Sequence, residues 1–448
     1  MTATTSQRRT RPVIPPATLA RFVLVAAVVV NLLIVEVLFF TSGAGKNSVL
    51  TVAKFFGLHA ALILMLQLTL VARIPWLDRR LGMDRLTAWH RWVGFALLWT
   101  VVLHSNLVVL GYARLGGTSM FEAFLDLAGV TASLLGMCAA AILITVASLS
   151  IRYARRRLSY ETWHAIHFAL YLALSLALVH QFLEGTTFTS STAATLYWWT
   201  LWACVVTALI VGRVVMPIWR NVRHQFRVAA VVPESDNVVS VHITGRHLDR
   251  LPARAGQFFI WRFLGHNSWW QANPFSMSAA PNGRSLRLTA KAVGATSAGL
   301  RHVPVGTRVF AEGPYGAFTT LHQTKDATLL IAGGVGITPI RSLLEESEGS
   351  AIVLYRVHTM ADAVLLAELQ ALARARGAQV HVLTGRTGAG TPPNEPFAPH
   401  NLIALVRDIA ERDVFVCGPP AMTSAVLRSL HTLNVPRKQV HAERFSLA

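Results

Sequence analysis

Cysteine is scarce in this chain. Only Cys138, Cys204 and Cys417 occur in 448 residues, and they lie far apart. That spacing supports neither a zinc site nor a disulfide framework. It also excludes a CxxxxCxxC iron–sulfur segment of the plant type. Acidic residues are few as well: 22 Asp and Glu stand against 41 Lys and Arg, a formal charge of +19. A chain this basic raises the question of nucleic acid, but its arginines flank apolar runs instead of forming one patch. They cluster at Arg8, Arg9 and Arg11; at Arg73, Arg79, Arg80 and Arg85; at Arg152, Arg155, Arg156 and Arg157; and at Arg213, Arg220, Arg223 and Arg227. This is the positive-inside pattern of a membrane protein, and it argues against a nucleic-acid partner.

Hydrophobic residues make up 53% of the chain and concentrate before about residue 217. They form six runs of roughly 20 residues, the length a helix needs to cross a bilayer core of ~30 Å. The expected spans are 19–40, 51–72, 88–111, 127–149, 162–183 and 195–216. The first is too long for a signal-peptide core and reads as a retained span. Basic loops follow the second, fourth and sixth spans. The N-terminal tail (1–18) and everything after residue 217 are therefore expected in the cytoplasm, with the chain multi-pass in the plasma membrane.

Beyond residue 222 the pattern changes. FRVAAVV, VVSVHITG and GQFFIWRF are short β-branched and aromatic runs broken by turn residues. They predict a small antiparallel β-barrel over 222–322. From 326 to 448 strand and helix alternate: TLLIAGG then ITPIRSLLEE, AIVLYRV then ADAVLLAELQALARAR. That alternation predicts a parallel sheet with helices on its faces. The expected fold is thus multi-domain: an α-helical six-span bundle over 19–217, a β-barrel and an α/β nucleotide-binding unit.

Two spans carry histidines in register. His90 and His104 are 14 residues apart on the third, about 21 Å along a helix axis; His167 and His180 are 13 apart on the fifth, about 20 Å. Ionisable groups at membrane depth are costly and mark function. Two helices that each offer imidazole near both faces suit two stacked iron sites, and bis-His iron in a porphyrin takes one histidine from each side. Topology pairs His90 with His167 and His104 with His180. Thirteen residues rotate the second histidine by about 140° on an ideal helix, so a kink, a π-bulge or side-chain rotamers must absorb the offset. His164, one turn before His167, is an alternative ligand or a propionate donor. Arg91 is a candidate propionate partner.

The soluble half holds NPFS (273–276), KAVGATS (291–297), EGPYG (312–316), GGVGITP (333–339) and CGPPAM (417–422), in that order. This series resembles the ferredoxin–NADP reductase superfamily. The resemblance implies FAD contact by Pro274, Phe275 and Ser276, and pyrophosphate binding near Lys291, Gly294, Thr296 and Ser297. Asn273 stands where that family usually has a basic residue. The GGxGxTP turn, here Gly333, Gly334, Gly336, Thr338 and Pro339, implies nucleotide phosphate at a helix N-terminus. Cys417, Gly418 and Pro419 are implied beside the nicotinamide, with Glu443 a further candidate there. Phe445 is the candidate aromatic that NADPH displaces from the flavin. Arg356, ending the second strand of the unit, favours NADPH over NADH through a 2′-phosphate.

Taken together, the six-span unit with its histidine pairs and the reductase unit resemble the ferric reductase and NADPH oxidase superfamily. The resemblance implies a relay from NADPH through FAD and two b-type haems, the first at His90/His167 and the second at His104/His180. The acceptor is a small molecule outside, Fe(III) or O₂, and no obligatory protein partner is evident. A reductase that serves a quinone or a partner protein is one alternative. A nucleotide-binding membrane sensor or transporter without enzymatic activity is another.

Overall fold

The structure is a computed structural model and describes residues 16–151, 157–158, 160–266, 271, 273–389 and 394–444. It divides into two compact units, one of residues 18–77 and 83–215, the other holding 78–82 and the chain from 216 onward.

The first unit is helical: α1 (Pro16–Thr41), α2 (Ser48–Val71), α4 (Met83–Gly116), α6 (Thr131–Ser150), α7 (Tyr160–Glu184) and α8 (Thr192–Ile210). All six are long and apolar enough to cross a membrane. Short helices α3 (Pro75–Leu81) and α5 (Met120–Ala128) lie between spans. Helix starts are set by caps. Asn47 Oδ1 accepts from Leu50 N at 2.8 Å before α2. Ser119 and Glu122 form a reciprocal capping box before α5, so the loop between the third and fourth spans holds a helix of its own and the fourth span starts at Thr131. Large apolar side chains such as Phe22, Phe40 and Trp92 remain exposed on the bundle, the composition of a surface solvated by lipid rather than water.

Of the kink, π-bulge or rotamers open to absorb the 13-residue offset, the fifth span shows no π-bulge: α7 is α-helix throughout. A π turn does occur, in the sixth span, over Val211–Val215. There a Cβ on Gly212 would collide with the Ala72 carbonyl, and Arg213 Nε donates to Val71 O at 2.8 Å. The turn brings backbone and guanidinium onto the unsatisfied carbonyls at the end of α2.

The second unit begins with α9 (Met216–His224) and six antiparallel strands: β1 (Arg227–Ser235), β2 (Val238–Thr244), β3 (Phe258–Phe263), β4 (Asn273–Ser276), β5 (Ser285–Lys291) and β6 (Val309–Tyr315). They form two three-stranded sheets, β1-β2-β5 and β4-β3-β6, bridged at Arg227–Arg308 and Met277–Leu288. Trp261, Phe259, Phe263, Met277 and Leu288 fill the space between them.

A five-stranded parallel sheet follows, in order β11-β10-β7-β8-β9. Its strands are β7 (Thr328–Gly333), β8 (Ala351–Arg356), β9 (Gln379–Leu383), β10 (Asp413–Gly418) and β11 (Val440–Arg444). The helices α10 (Ile337–Glu346), α11 (Leu366–Arg376), α12 (Pro399–Leu405) and α13 (Pro420–Thr432) connect them. β7 pairs with β8 on one side and β10 on the other. The chain direction across the sheet therefore reverses at β7/β10, the place where open α/β sheets bind ligands.

Candidate functional site

The two histidine columns meet as the topology required. On α4 and α7, the His90 and His167 rings stand 6.4 Å apart between centroids. The His104 and His180 rings stand 6.5 Å apart. A metal–imidazole bond of about 2.0–2.1 Å on each side, plus about 1.2 Å from nitrogen to ring centre, gives a spacing of about 6.4 Å. Both spacings therefore match what two imidazoles holding one iron would need. His164 faces elsewhere, edge-on to Phe168 at 4.8 Å, while Trp163 lies 4.9 Å from the His167 ring. Arg91 is exposed.

The backing of these rings was not foreseen. His104 Nδ1 donates to Ala53 O at 2.9 Å, and His180 Nδ1 donates to Ala132 O at 2.8 Å. A carbonyl only accepts, so each Nδ1 carries the proton and each Nε2 presents its lone pair. Four residues after each carbonyl comes a glycine. A Cβ on Gly57 would meet His104 Cε1 at 2.8 Å, and one on Gly136 would meet His180 Cε1 at 2.8 Å. The other pair is held differently. His90 Nδ1 is 3.4 Å from Gln67 O, and the Gln67 amide donates to His90 Nε2 at 3.2 Å. Iron at this pair needs that amide to release the nitrogen. His167 Nδ1 is buried and has no hydrogen-bond partner among the described residues.

In the second unit, β4 places Ser276 opposite Phe258 of β3, and Phe258 lies opposite Tyr315 of β6. Ser276 Oγ is buried and makes no hydrogen bond among the described residues. A buried hydroxyl left unmade costs about 1–3 kcal/mol, so it fits a ligand atom such as a flavin heteroatom. Asn273 turns inward, its amide donating to Trp261 O at 3.3 Å, and Pro274 and Phe275 continue the strand against Ile260 and Phe259. Lys291 and Gly294 are exposed, and a Cβ on Gly294 would meet nothing within 4 Å, which leaves room for an anion. Thr296 is half-buried in the same turn. Ser297 is spent on the turn itself: its Oγ accepts from Val293 N and Gly294 N at 3.0 and 3.1 Å.

The GGVGITP and CGPPAM segments lie against each other at the β7/β10 switch. A Cβ on Gly336 would strike the Cys417 carbonyl, and one on Gly418 would reach Gly333 Cα at 3.1 Å. Gly334 has φ +51°, a left-handed conformation that favours glycine. α10 starts at Ile337 without a side-chain cap, so its N-terminus presents positive potential to a phosphate. Thr338 Oγ1 closes the turn on Val335 O at 3.0 Å, and Pro339 lies in the helix's first turn. Pro419 precedes α13 as its N-cap. Cys417 is fully buried and pairs in register with Glu443 of β11. A Cβ on Gly316 would reach Glu443 Oε1 at 4.0 Å and the Phe258 ring at 3.3 Å. A succession of neighbours thus runs Ser276, Phe258, Gly316, Glu443, Cys417. Strand β11, which delivers Glu443, was missed in the sequence. Phe445 lies outside the described residues.

Arg356 departs from its expected role. It is buried, with Nη1 on Leu383 O at 3.1 Å and Nη2 on Thr387 Oγ1 at 3.4 Å. Burial pulls its pKa below the ordinary guanidinium value. It ties β8 to the loop after β9. Tyr355 beside it is enclosed, its hydroxyl on Val364 O at 3.2 Å. Replacing Arg356 with Ala is expected to lower the melting temperature and to change the NADPH-to-NADH preference by less than about threefold. Parallel steady-state assays with the two nucleotides check this.

Comparison with known proteins adds the family. Residues 56–178 match the ferric reductase like transmembrane component, 223–319 an FAD-binding domain and 330–428 an oxidoreductase NAD-binding domain. These three matches, in this order, are the domain architecture of the ferric reductases and NADPH oxidases. Among curated relatives, Ferredoxin--NADP reductase B of Sorangium cellulosum is 32% identical over 187 residues, 38% of this chain and 77% of that protein. The ferredoxin reductase component of 3-ketosteroid-9-alpha-monooxygenase from Mycobacterium tuberculosis is 33% identical over 243 residues, 49% of this chain and 65% of that protein. Among solved structures, the FAD/NAD binding domain of nitric oxide dioxygenase from Vibrio cholerae aligns with 23% identity and a TM-score of 0.41, covering 50% of this chain and 98% of that one. This ferric reductase-like protein is therefore a multi-pass membrane NAD(P)H oxidoreductase with FAD- and NAD(P)-binding domains.

Proposed function

We propose that the protein moves electrons from cytosolic NADPH across the plasma membrane to a small-molecule acceptor, Fe(III) or O₂, on the outer face. FAD would supply the conversion of a two-electron hydride into single electrons, and two b-type haems the path through the bilayer. The observation that carries this reading is the pair of opposed imidazoles at 6.4 and 6.5 Å on the same two helices. His90 and His167 would hold the cytoplasmic-side haem, and His104 and His180 the outer one. The arginine-rich loops support this orientation.

The chain's own residues have defined tasks. Ser276 offers its unmade hydroxyl to the flavin ring. Lys291, Gly294 and Thr296 line the anion side of that site. Gly333, Gly334 and Gly336 admit the nucleotide backbone to the N-terminus of α10. Cys417 and Glu443, with Gly418 and Pro419, border the nicotinamide. No general acid or base is needed, since the protein supplies placement and the cofactors the chemistry. Neither a nucleic acid nor an obligatory protein partner enters this scheme.

Two outcomes follow for single residues. Ser276→Ala should weaken FAD binding roughly 2- to 12-fold, the worth of one hydrogen bond of about 0.5–1.5 kcal/mol, read by flavin release on dilution. His164→Leu should retain two haems and His167→Leu only one; the reverse pattern in their haem spectra would reassign the ligand.

The proposal is tested with purified protein in lipid vesicles. NADPH is added without oxygen, and then O₂ or chelated Fe(III) is supplied separately. Superoxide or ferrous iron supports the reading and selects the acceptor. Formation of quinol from added quinone, with neither of those products, would replace it with quinone reduction. Failure of NADPH to reduce the protein at all would overturn it.

A further inference from the structure

The two histidine pairs are held unequally, and the inequality has a direction. At His104/His180, both Nδ1–H groups donate to a main-chain carbonyl at 2.9 and 2.8 Å. A glycine one turn on lets each ring lie directly against its helix. At His90/His167, one contact is 3.4 Å and the other Nδ1 has no hydrogen-bond partner among the described residues. A donated N–H makes imidazole a more basic ligand, which stabilises ferric over ferrous iron. Charge acts in the same sense. Arg213 Nε donates to Val71 O at 2.8 Å, one turn after Gln67, whose carbonyl lies 3.4 Å from His90 Nδ1, and a nearby cation favours the state that has gained an electron.

Resting on the haem reading above, we propose that the Ala53–Gly57 and Ala132–Gly136 turns and Arg213 split the two one-electron Fe(III)/Fe(II) potentials. The His104/His180 iron is the lower of the two and the stronger reductant. The site that faces the acceptor is thereby the one best able to give up its electron. Gly57, Gly136 and Arg213 are positioning and tuning residues. None of them is a ligand.

Spectroscopic redox titration of the two haems tests this without turnover. In His180→Leu, the surviving haem should titrate at the higher of the two wild-type potentials. Gly136→Ala should move only the lower component, upward, as the added Cβ displaces the ring from its carbonyl. Arg213→Gln should move only the higher component, downward, and it touches no ligand should Gly136→Ala shed its haem. A surviving haem at the lower potential, or both components unmoved in Gly136→Ala and Arg213→Gln, would overturn the inference while two haems per chain keep the function standing. Wild-type protein with no haem would instead overturn the function.

Discussion

Replacing His180 with leucine is expected to cost one of two haems and to lower delivery to the outer acceptor by about 100-fold or more, since an axial bond cannot be replaced by a hydrocarbon. NADPH-driven reduction of FAD should persist within about twofold. The reasoning is positional. His180 pairs with His104 and donates to Ala132 O, whereas the nucleotide and flavin residues all belong to the other unit. Leucine is close to histidine in volume and suits a lipid-solvated helix, so the fold should survive. Haem content by pyridine haemochrome and flavin bleaching by NADPH would be read on the same sample. Loss of the flavin step together with the haem would contradict the order of the relay.

The second large effect is expected at Gly336. An alanine there directs its Cβ into the Cys417 carbonyl, with Gly418 Cα 3.0 Å away. Both obstacles are backbone, so neither can swing aside. Overpacking of this kind costs about 1–3 kcal/mol, here concentrated where α10 begins and β10 ends. The kcat/KM for NADPH should fall roughly 5- to 150-fold, the equivalent of that energy, while bound FAD stays at wild-type level. Gly334→Ala is the contrast. Its Cβ would meet nothing within 4 Å, and only the left-handed φ of +51° costs about 1–2 kcal/mol. Stopped-flow hydride transfer compares the two. Equal losses would mean that backbone strain, and not the approach of the two loops, limits this site.

Much of this arrangement was legible in the sequence because it rests on periodic or ordered features. Apolar run length gave six spans, and strand–helix alternation gave the parallel sheet. The 14- and 13-residue spacings told which histidines could face each other, though not how an offset of about 140° would be absorbed. The π turn appeared in the sixth span because packing decides such irregularities: Gly212 meets Ala72, and Arg213 caps α2. Gly57 and Gly136 escaped notice because a glycine in an apolar helix looks the same whether it faces lipid, another helix or an imidazole. Arg356 and Ser297 were placed correctly along the chain, but their side chains turned to backbone partners. Sequence position gives the strand end; only the fold shows where its donors are spent. Asp78 carries no signal in the sequence, yet its carboxylate accepts the Gly316 N–H at 3.0 Å and so belongs to the flavin-side turn.

The central claim is that one chain joins NADPH to two bis-histidine haems. It is tested most directly by titrating purified, haem-loaded wild-type protein with NADPH in the absence of oxygen while recording flavin and haem absorbance. The account predicts two haems per chain, both reduced, with one NADPH consumed for every two electrons taken up. Fewer than two haems, or haems that stay oxidised while the flavin bleaches, would contradict it.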